Sequence, residues 1–171
     1  NCGTCHRSID PLDAPRLAEG RRLIIESGCF SCHEIPGFEG LTFRGPSLES
    51  IGYKVLPGWL TSWLKDPKSY LAQSRMGNFR LPADDIANLQ GFLLSQRAQV
   101  PLDSTGVDWT RADTANGRAL FGELRCVSCH AVNGRGGTMG PELTRIGDKI
   151  RRNWLFSYLK DPHRVQPDTA M

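Results

Sequence analysis

No stretch of the 171-residue chain approaches the ~20 consecutive apolar residues that a membrane-spanning helix needs, and no signal peptide is recognisable in it. Basic residues never form a run of five, so the formal charge of +3 does not read as a nucleic-acid-binding surface. Initiator methionine is missing too: Asn1 stands directly before a cysteine, and the chain stops at Met171. A processed or partial chain, continuing in nature, is the expectation. Histidine is scarce, at four residues, and no cysteine lies outside a single recurring motif.

That motif is Cys-x-x-Cys-His, present as Cys2–Cys5–His6, Cys29–Cys32–His33 and Cys126–Cys129–His130, and it uses all six cysteines. The pattern is the attachment signature of c-type haem. Two thiols three positions apart can each bond one vinyl arm of a porphyrin, and the following histidine then lies under the ring, where its imidazole can ligate iron. Three covalently bound haem c groups are expected, with His6, His33 and His130 as proximal ligands. A zinc ribbon built from Cys2, Cys5, Cys29 and Cys32 would strand Cys126 and Cys129 and leave the adjacent histidines unexplained. Disulfides within each pair would close very short, poorly stabilising loops. A thioredoxin-like role fails because no βαβ pattern surrounds any copy.

Haem also resolves a difficulty of composition. Only 39% of residues are hydrophobic, which is modest for one ordinary domain or two small ones. A porphyrin supplies a large apolar core element of its own. Its propionates bring negative charge, so the holoprotein is expected near neutrality or slightly acidic despite the formal +3. Covalent attachment takes place outside the cytoplasm in bacteria, which places the protein in the periplasm or another extracytoplasmic space, its export signal removed or outside this sequence.

An internal repeat organises the chain. Gly20 lies nine residues before Cys29, as Gly117 does before Cys126. After a two-residue difference in loop length the agreement resumes: Gly45-Pro46 with Gly140-Pro141, Ile51-Gly52 with Ile146-Gly147, Trp59 with Trp154, Trp63 with Tyr158, Leu64-Lys65-Asp66-Pro67 with Leu159-Lys160-Asp161-Pro162, and Met76 with Met171. Each copy is expected to open with a helix. The first starts at Pro15 behind Asp13, carries Leu17, Leu23 and Ile24, and stops at Gly28. In the second, Thr110 and Asp113 are spaced as a capping box before Ala119, Leu120 and Phe121. A further helix begins near Pro57, with Trp59, Leu60, Trp63 and Leu64 at helical spacing, and repeats from Asn153 to Lys160. Another runs from about Ala83 to Gln96 with Ile86, Leu89 and Leu93 on one face and Phe92 beside them. Val100 to Val107, with Pro101 and Gly106, reads as a linker.

With these residues both repeats resemble class I cytochrome c domains, in which a Gly-x-x-x-Phe-like helix precedes the haem motif, a Gly-Pro follows it and a late methionine completes the iron. Gly117 and Phe121 fit that helix pattern, where the first repeat has Gly20 and Ile24. The resemblance implies an all-α fold of tandem haem domains: an N-terminal haem-binding extension (1–14), a cytochrome c domain (15–99), a linker (100–108) and a second domain (109–171). It covers the first unit fully and the second up to its methionine, without the C-terminal helix of the family. It implies that the carbonyls of Pro46 and Pro141 accept a hydrogen bond from the proximal imidazoles, fixing the rings. Met76 and Met171, each ten residues beyond Asp66 or Asp161, become the sixth ligands. A thioether favours ferrous iron and suits a carrier of relatively high potential. The family commonly has Met-Pro where this chain has Met76-Gly77, which makes that ligand loop more pliable.

The first haem stands apart, since its motif is only 26 residues from the next and no complete unit fits between them. Its distal ligand stays open between His163, Met139, a group from another segment or partner, and none. His163 otherwise reads as an exposed loop histidine and Met139 as surface. Trp59, Trp63, Trp154 and Tyr158 read as packing against the porphyrin rather than an electron pathway. Arg44 reads as a solvated residue or a propionate partner.

The chemistry this adds up to is single-electron transfer by a trihaem c-type cytochrome, a carrier or a subunit of a membrane respiratory or photosynthetic complex, without bond chemistry on a substrate. Its partners would be redox proteins or a membrane oxidoreductase. Two other readings stand beside it: a multihaem peroxidase or reductase with an open first haem, and a structural subunit of a cytochrome filament.

Overall fold

The computed structural model describes residues 14–37, 45–98 and 102–171. Helix α1, Pro15–Glu26, starts on a proline, whose missing N–H costs nothing in a first turn. It ends where Gly28 enters the left-handed region at φ 65°. Its inner face carries Gly20, Leu23 and Ile24. The short helix α2, Ile51–Lys54, leads into α3, Pro57–Lys65, which buries Trp59, Leu60 and Leu64 as their spacing anticipates. The recurring Asp-Pro then acts as a corner. The Asp66 side chain accepts from the backbone N–H of Lys68, and Pro67 opens α4, Pro67–Tyr70. Helix α5, Ala83–Ser95, has Asp84 and Asp85 in its first turn, where they favour the helix dipole, and buries Ile86, Leu89, Phe92 and Leu93.

Helices α1 and α5 cross at close range. A Cβ added to Gly20 would stand 2.5 Å from both the Asn88 carbonyl oxygen and Phe92 Cβ. Only a glycine lets the two backbones approach so far. Around this crossing lies the first repeat's core, with Leu23, Ile24, Ile35, Leu60, Leu89 and Leu93 each under about a twentieth exposed.

The second repeat runs in the same order. A 3-10 turn at Trp109–Arg111 precedes α6, Thr114–Glu123. Here the anticipated capping box is corrected: Asp113 is itself the N-cap, its carboxylate accepting from the backbone of Ala115 and Asn116, and Thr110 belongs to the preceding turn capped by Asp108. A short side chain at the cap reaches those donors directly, so no reciprocal partner is needed. Two antiparallel strands follow, β1 Ala131–Val132 and β2 Arg135–Gly136, joined by Asn133 and Gly134 at φ 51° and 70°. This is the Asn-Gly turn that suits a tight hairpin. Then come α7, Ile146–Lys149, α8, Arg152–Lys160, and α9, Pro162–Val165, the last capped by Asp161 as α4 is by Asp66. The architecture is mostly helical, as expected. Residues 102–108, the described part of the anticipated linker, are irregular and include the turn at Gly106.

The repeats share one apolar cluster in which Ile150, Trp154 and Val165 join the first repeat's core residues. They meet at an isolated antiparallel bridge between Val55 and Ile150, just before α3 and α8.

Candidate metal centres

In the first repeat, Cys29–Ser31 forms a single 3-10 turn directly behind α1. The backbone N–H groups of Cys32 and His33 both donate to the Cys29 carbonyl, at 3.2 and 3.0 Å. This tight turn gathers both cysteines and the histidine. Both thiols are free, with Cys29 half-buried and Cys32 exposed. Burial pushes the Cys29 thiol above its ordinary pKa.

The imidazole is oriented from behind. His33 Nδ1 lies 2.8 Å from the Pro46 carbonyl oxygen. Since a carbonyl only accepts, Nδ1 carries the proton and donates, leaving Nε2 with its lone pair free for a metal. Gly45 makes the bond reachable. A Cβ there would stand 2.5 Å from Cε1 of the ring, so the chain can pass over the imidazole only without a side chain.

The second repeat builds the same device. Cys126–Ser128 is a 3-10 turn, the N–H of His130 donates to the Cys126 carbonyl at 2.9 Å, and Cys126 and Cys129 are free. His130 Nδ1 lies 2.8 Å from the Pro141 oxygen, and a Cβ on Gly140 would come within 2.5 Å of the ring. The β hairpin lies against this turn, with the N–H of Gly137 donating to the Val127 carbonyl at 2.8 Å.

On the methionine side the repeats differ. Met76 is half-buried, and its sulfur accepts a hydrogen bond from Trp63 Nε1 at 3.0 Å. Trp63 stacks on Trp59 at 5.1 Å between ring centroids, and Tyr70 packs edge-on to both. Met171 is 46% exposed. Trp154 stacks on Tyr158 at 4.8 Å, Tyr158 hydrogen-bonds Thr169, and Thr169 Oγ1 accepts from the Met171 backbone at 3.3 Å. Of the weaker candidates for the first haem, Met139 is 88% exposed. His163 is exposed, its Nδ1 at 3.4 Å from the Pro167 oxygen of the same loop. Cys2, Cys5, His6 and Arg44 lie outside the described residues.

These residues fit covalent haem. Paired free thiols sit beside an imidazole whose Nε2 is available. Trp59 Nε1 and Arg151 Nε are buried donors without a hydrogen-bond partner among the described residues, a costly condition that a propionate of the haem would relieve. Sequence reasoning singled out the cysteines, histidines, prolines and methionines. It missed the indole donor to Met76, for which the i,i+4 pair Trp59 and Trp63 was the available sign, and the steric role of Gly45 and Gly140.

Residues 114–170, from the first turn of α6 to the residue before Met171, match the family model for Cytochrome c. No curated protein matches the chain. A cytochrome c domain is therefore present, and with it come covalently bound haem c and a haem-based electron-transfer role.

Proposed function

We propose that the protein is a trihaem c-type cytochrome that passes single electrons between redox proteins, or within a membrane respiratory or photosynthetic complex, in the periplasm or an equivalent extracytoplasmic space. Haem iron supplies the chemistry by taking up and releasing one electron. The chain's own contribution is to hold the group covalently, to present neutral imidazole Nε2 on one side, and to offer thioether sulfur from Met76 or Met171 on the other. Cys2, Cys5 and His6 hold the third group in the N-terminal extension.

The observation that carries this reading is the duplicated pinning of His33 and His130 by Pro46 and Pro141, each at 2.8 Å, beside paired free thiols. One occurrence would suit many histidines. Two, at equivalent positions of a repeat, fit a function in which both imidazoles must hold the same tautomer and orientation. Among the described residues, no helix is long and apolar enough to cross a membrane. Association with a membrane complex would then run through a partner or another segment.

The test is the absorption spectrum of the dithionite-reduced protein before and after carbon monoxide, with haem quantified as the pyridine adduct. Three haems per chain with no response to carbon monoxide are expected, whereas a response from about one-third of the haem would favour an open first haem and the multihaem enzyme. Fewer than three haems, or a response from all of them, would overturn the reading.

A further inference from the structure

The seam between the repeats is built twice, with the partners exchanged. The N–H of Leu56 donates to the Lys149 carbonyl at 2.8 Å, and the N–H of Arg151 donates to the Lys54 carbonyl at 2.9 Å. In the repeat alignment Lys54 corresponds to Lys149, Val55 to Ile150, Leu56 to Arg151 and Trp59 to Trp154. The second bond is the first seen from the other side. The bridge Val55–Ile150 joins equivalent residues, so a local two-fold axis passes through it, as in an isologous dimer interface.

The side chains obey the same exchange. Lys149 of the second repeat places Nζ 4.7 Å from the Trp59 ring centroid and 5.9 Å from that of Trp63. Lys54 of the first places Nζ 4.5 Å from the Trp154 centroid. Each aromatic stack leads onward to the methionine of its own repeat: Trp59 to Trp63 to Met76 sulfur, and Trp154 to Tyr158 to Thr169 and the Met171 backbone. Both ammonium groups therefore cap the methionine side of the opposite repeat.

Holding them there is costly. Both lysines are partly buried, and among the described residues neither has an acidic group within ion-pair distance, Lys54 donating only to the Gln166 amide at 2.9 Å. Burial, with Lys149 adding repulsion, brings Lys54 down to about 8, and burial lowers Lys149 as well. A cation–π contact with tryptophan offsets part of that cost. A positive charge in this position also has an electrical effect. When ferric iron takes one electron from a donor protein and becomes ferrous, the centre loses one unit of positive charge, and a nearby cation favours that product. Partial burial keeps the interaction from being screened away.

We propose that Lys54 and Lys149 are crossed positioning charges: the lysine of each repeat raises the reduction potential of the haem held by the other, so the two centres are tuned as a pair. This rests on the haem assignment above. The consequence is that neither repeat keeps its native potential without the other.

The test is a potentiometric titration of the holoprotein, with dithionite as one-electron reductant and mediators. The wild-type component belonging to the His33/Met76 centre is identified first as the one displaced by Met76→His. Lys149→Gln should then lower that component by about tenfold in its reduction equilibrium, ~59 mV for a one-electron couple, and Lys54→Gln should lower the His130/Met171 component alike. Lys149→Arg should keep the native value, which loss of packing alone would not allow. The proposal is overturned if Lys149→Gln moves only the component of its own repeat, if it moves none, or if Lys149→Arg behaves as Lys149→Gln. Absence of haem from the wild type would instead defeat the underlying assignment before any variant is compared.

Discussion

Helices α1 and α6 open equivalent repeats, yet α1 is half of a core and α6 is bare. Leu23 is 4% exposed and its counterpart Leu120 is 50% exposed, while Leu124 reaches 72%. The Cβ position of Gly20 runs into α5, whereas that of Gly117 meets nothing within 4 Å. No described element covers α6 as α5 covers α1. Even so, the turn behind each helix, the backbone bonds to its first cysteine and the proline bond to its histidine are alike. The arrangement of paired cysteines and a proline-held imidazole is therefore local, set by a 3-10 turn and a Gly-Pro. The helix crossing serves a different end, closing the hydrophobic core around it.

Substituting the two helix glycines separates the two environments by the largest margin. Gly20→Ala should destabilise the folded holoprotein by about 2–3 kcal/mol, because its methyl group meets the Asn88 backbone, which cannot yield easily. Gly117→Ala in the same 171-residue chain should instead stabilise by ~0.5–1 kcal/mol through helix propensity alone. Denaturant unfolding of both variants checks the pair, and equal effects would show that α6 is covered as α1 is.

Next in size are the two methionines. Met76→Ala and Met171→Ala should each lower the potential of one haem and open its iron to carbon monoxide. Coordination spectra that stay unchanged would remove that methionine from the iron. A smaller effect concerns the seam. Lys54 is held at about 8, below the ordinary lysine value of 10.5, by burial and by the facing Lys149. The folded state thus binds fewer protons than the unfolded chain between those two pH values, and stability should rise as pH climbs through that window. Lys54→Gln should flatten the rise, as read from unfolding midpoints at a series of pH values. A last pair concerns the end of each opening helix. Gly28 and its counterpart Arg125 both adopt positive φ, 65° and 58°, but only glycine does so without strain. Arg125→Gly should stabilise the second repeat by about 1 kcal/mol, with Gly28→Arg losing a similar amount.

Much of this was legible in the sequence, for local reasons. Pro15 and Pro57 mark helix starts, and the spacing of Trp59, Leu60 and Leu64 gives the buried face of α3. The haem motifs and the Gly-Pro pairs stand out because their chemistry fixes both residue type and spacing. What could not be read depends on placement in space. Gly20 and Gly117 occupy the same position of the repeat, and only the presence of α5 over one of them separates their roles. Lys54 and Lys149 look like solvated charges until the seam turns each one over the other repeat's tryptophan. Thr110 and Asp113 show that a spacing rule can name the right residues and assign them the wrong roles. The hairpin around Asn133-Gly134 carried a readable signal, but it lies in the loop where the repeats differ in length.

The intact mass of the native polypeptide under denaturing conditions reads the number of covalently held haems most directly. The mass should equal the chain plus three haems, falling by one when Cys126 and Cys129 are both replaced by serine. A native mass with fewer than three haems would contradict that number, and one unchanged by the double substitution would contradict the claim that the repeated turns are attachment sites.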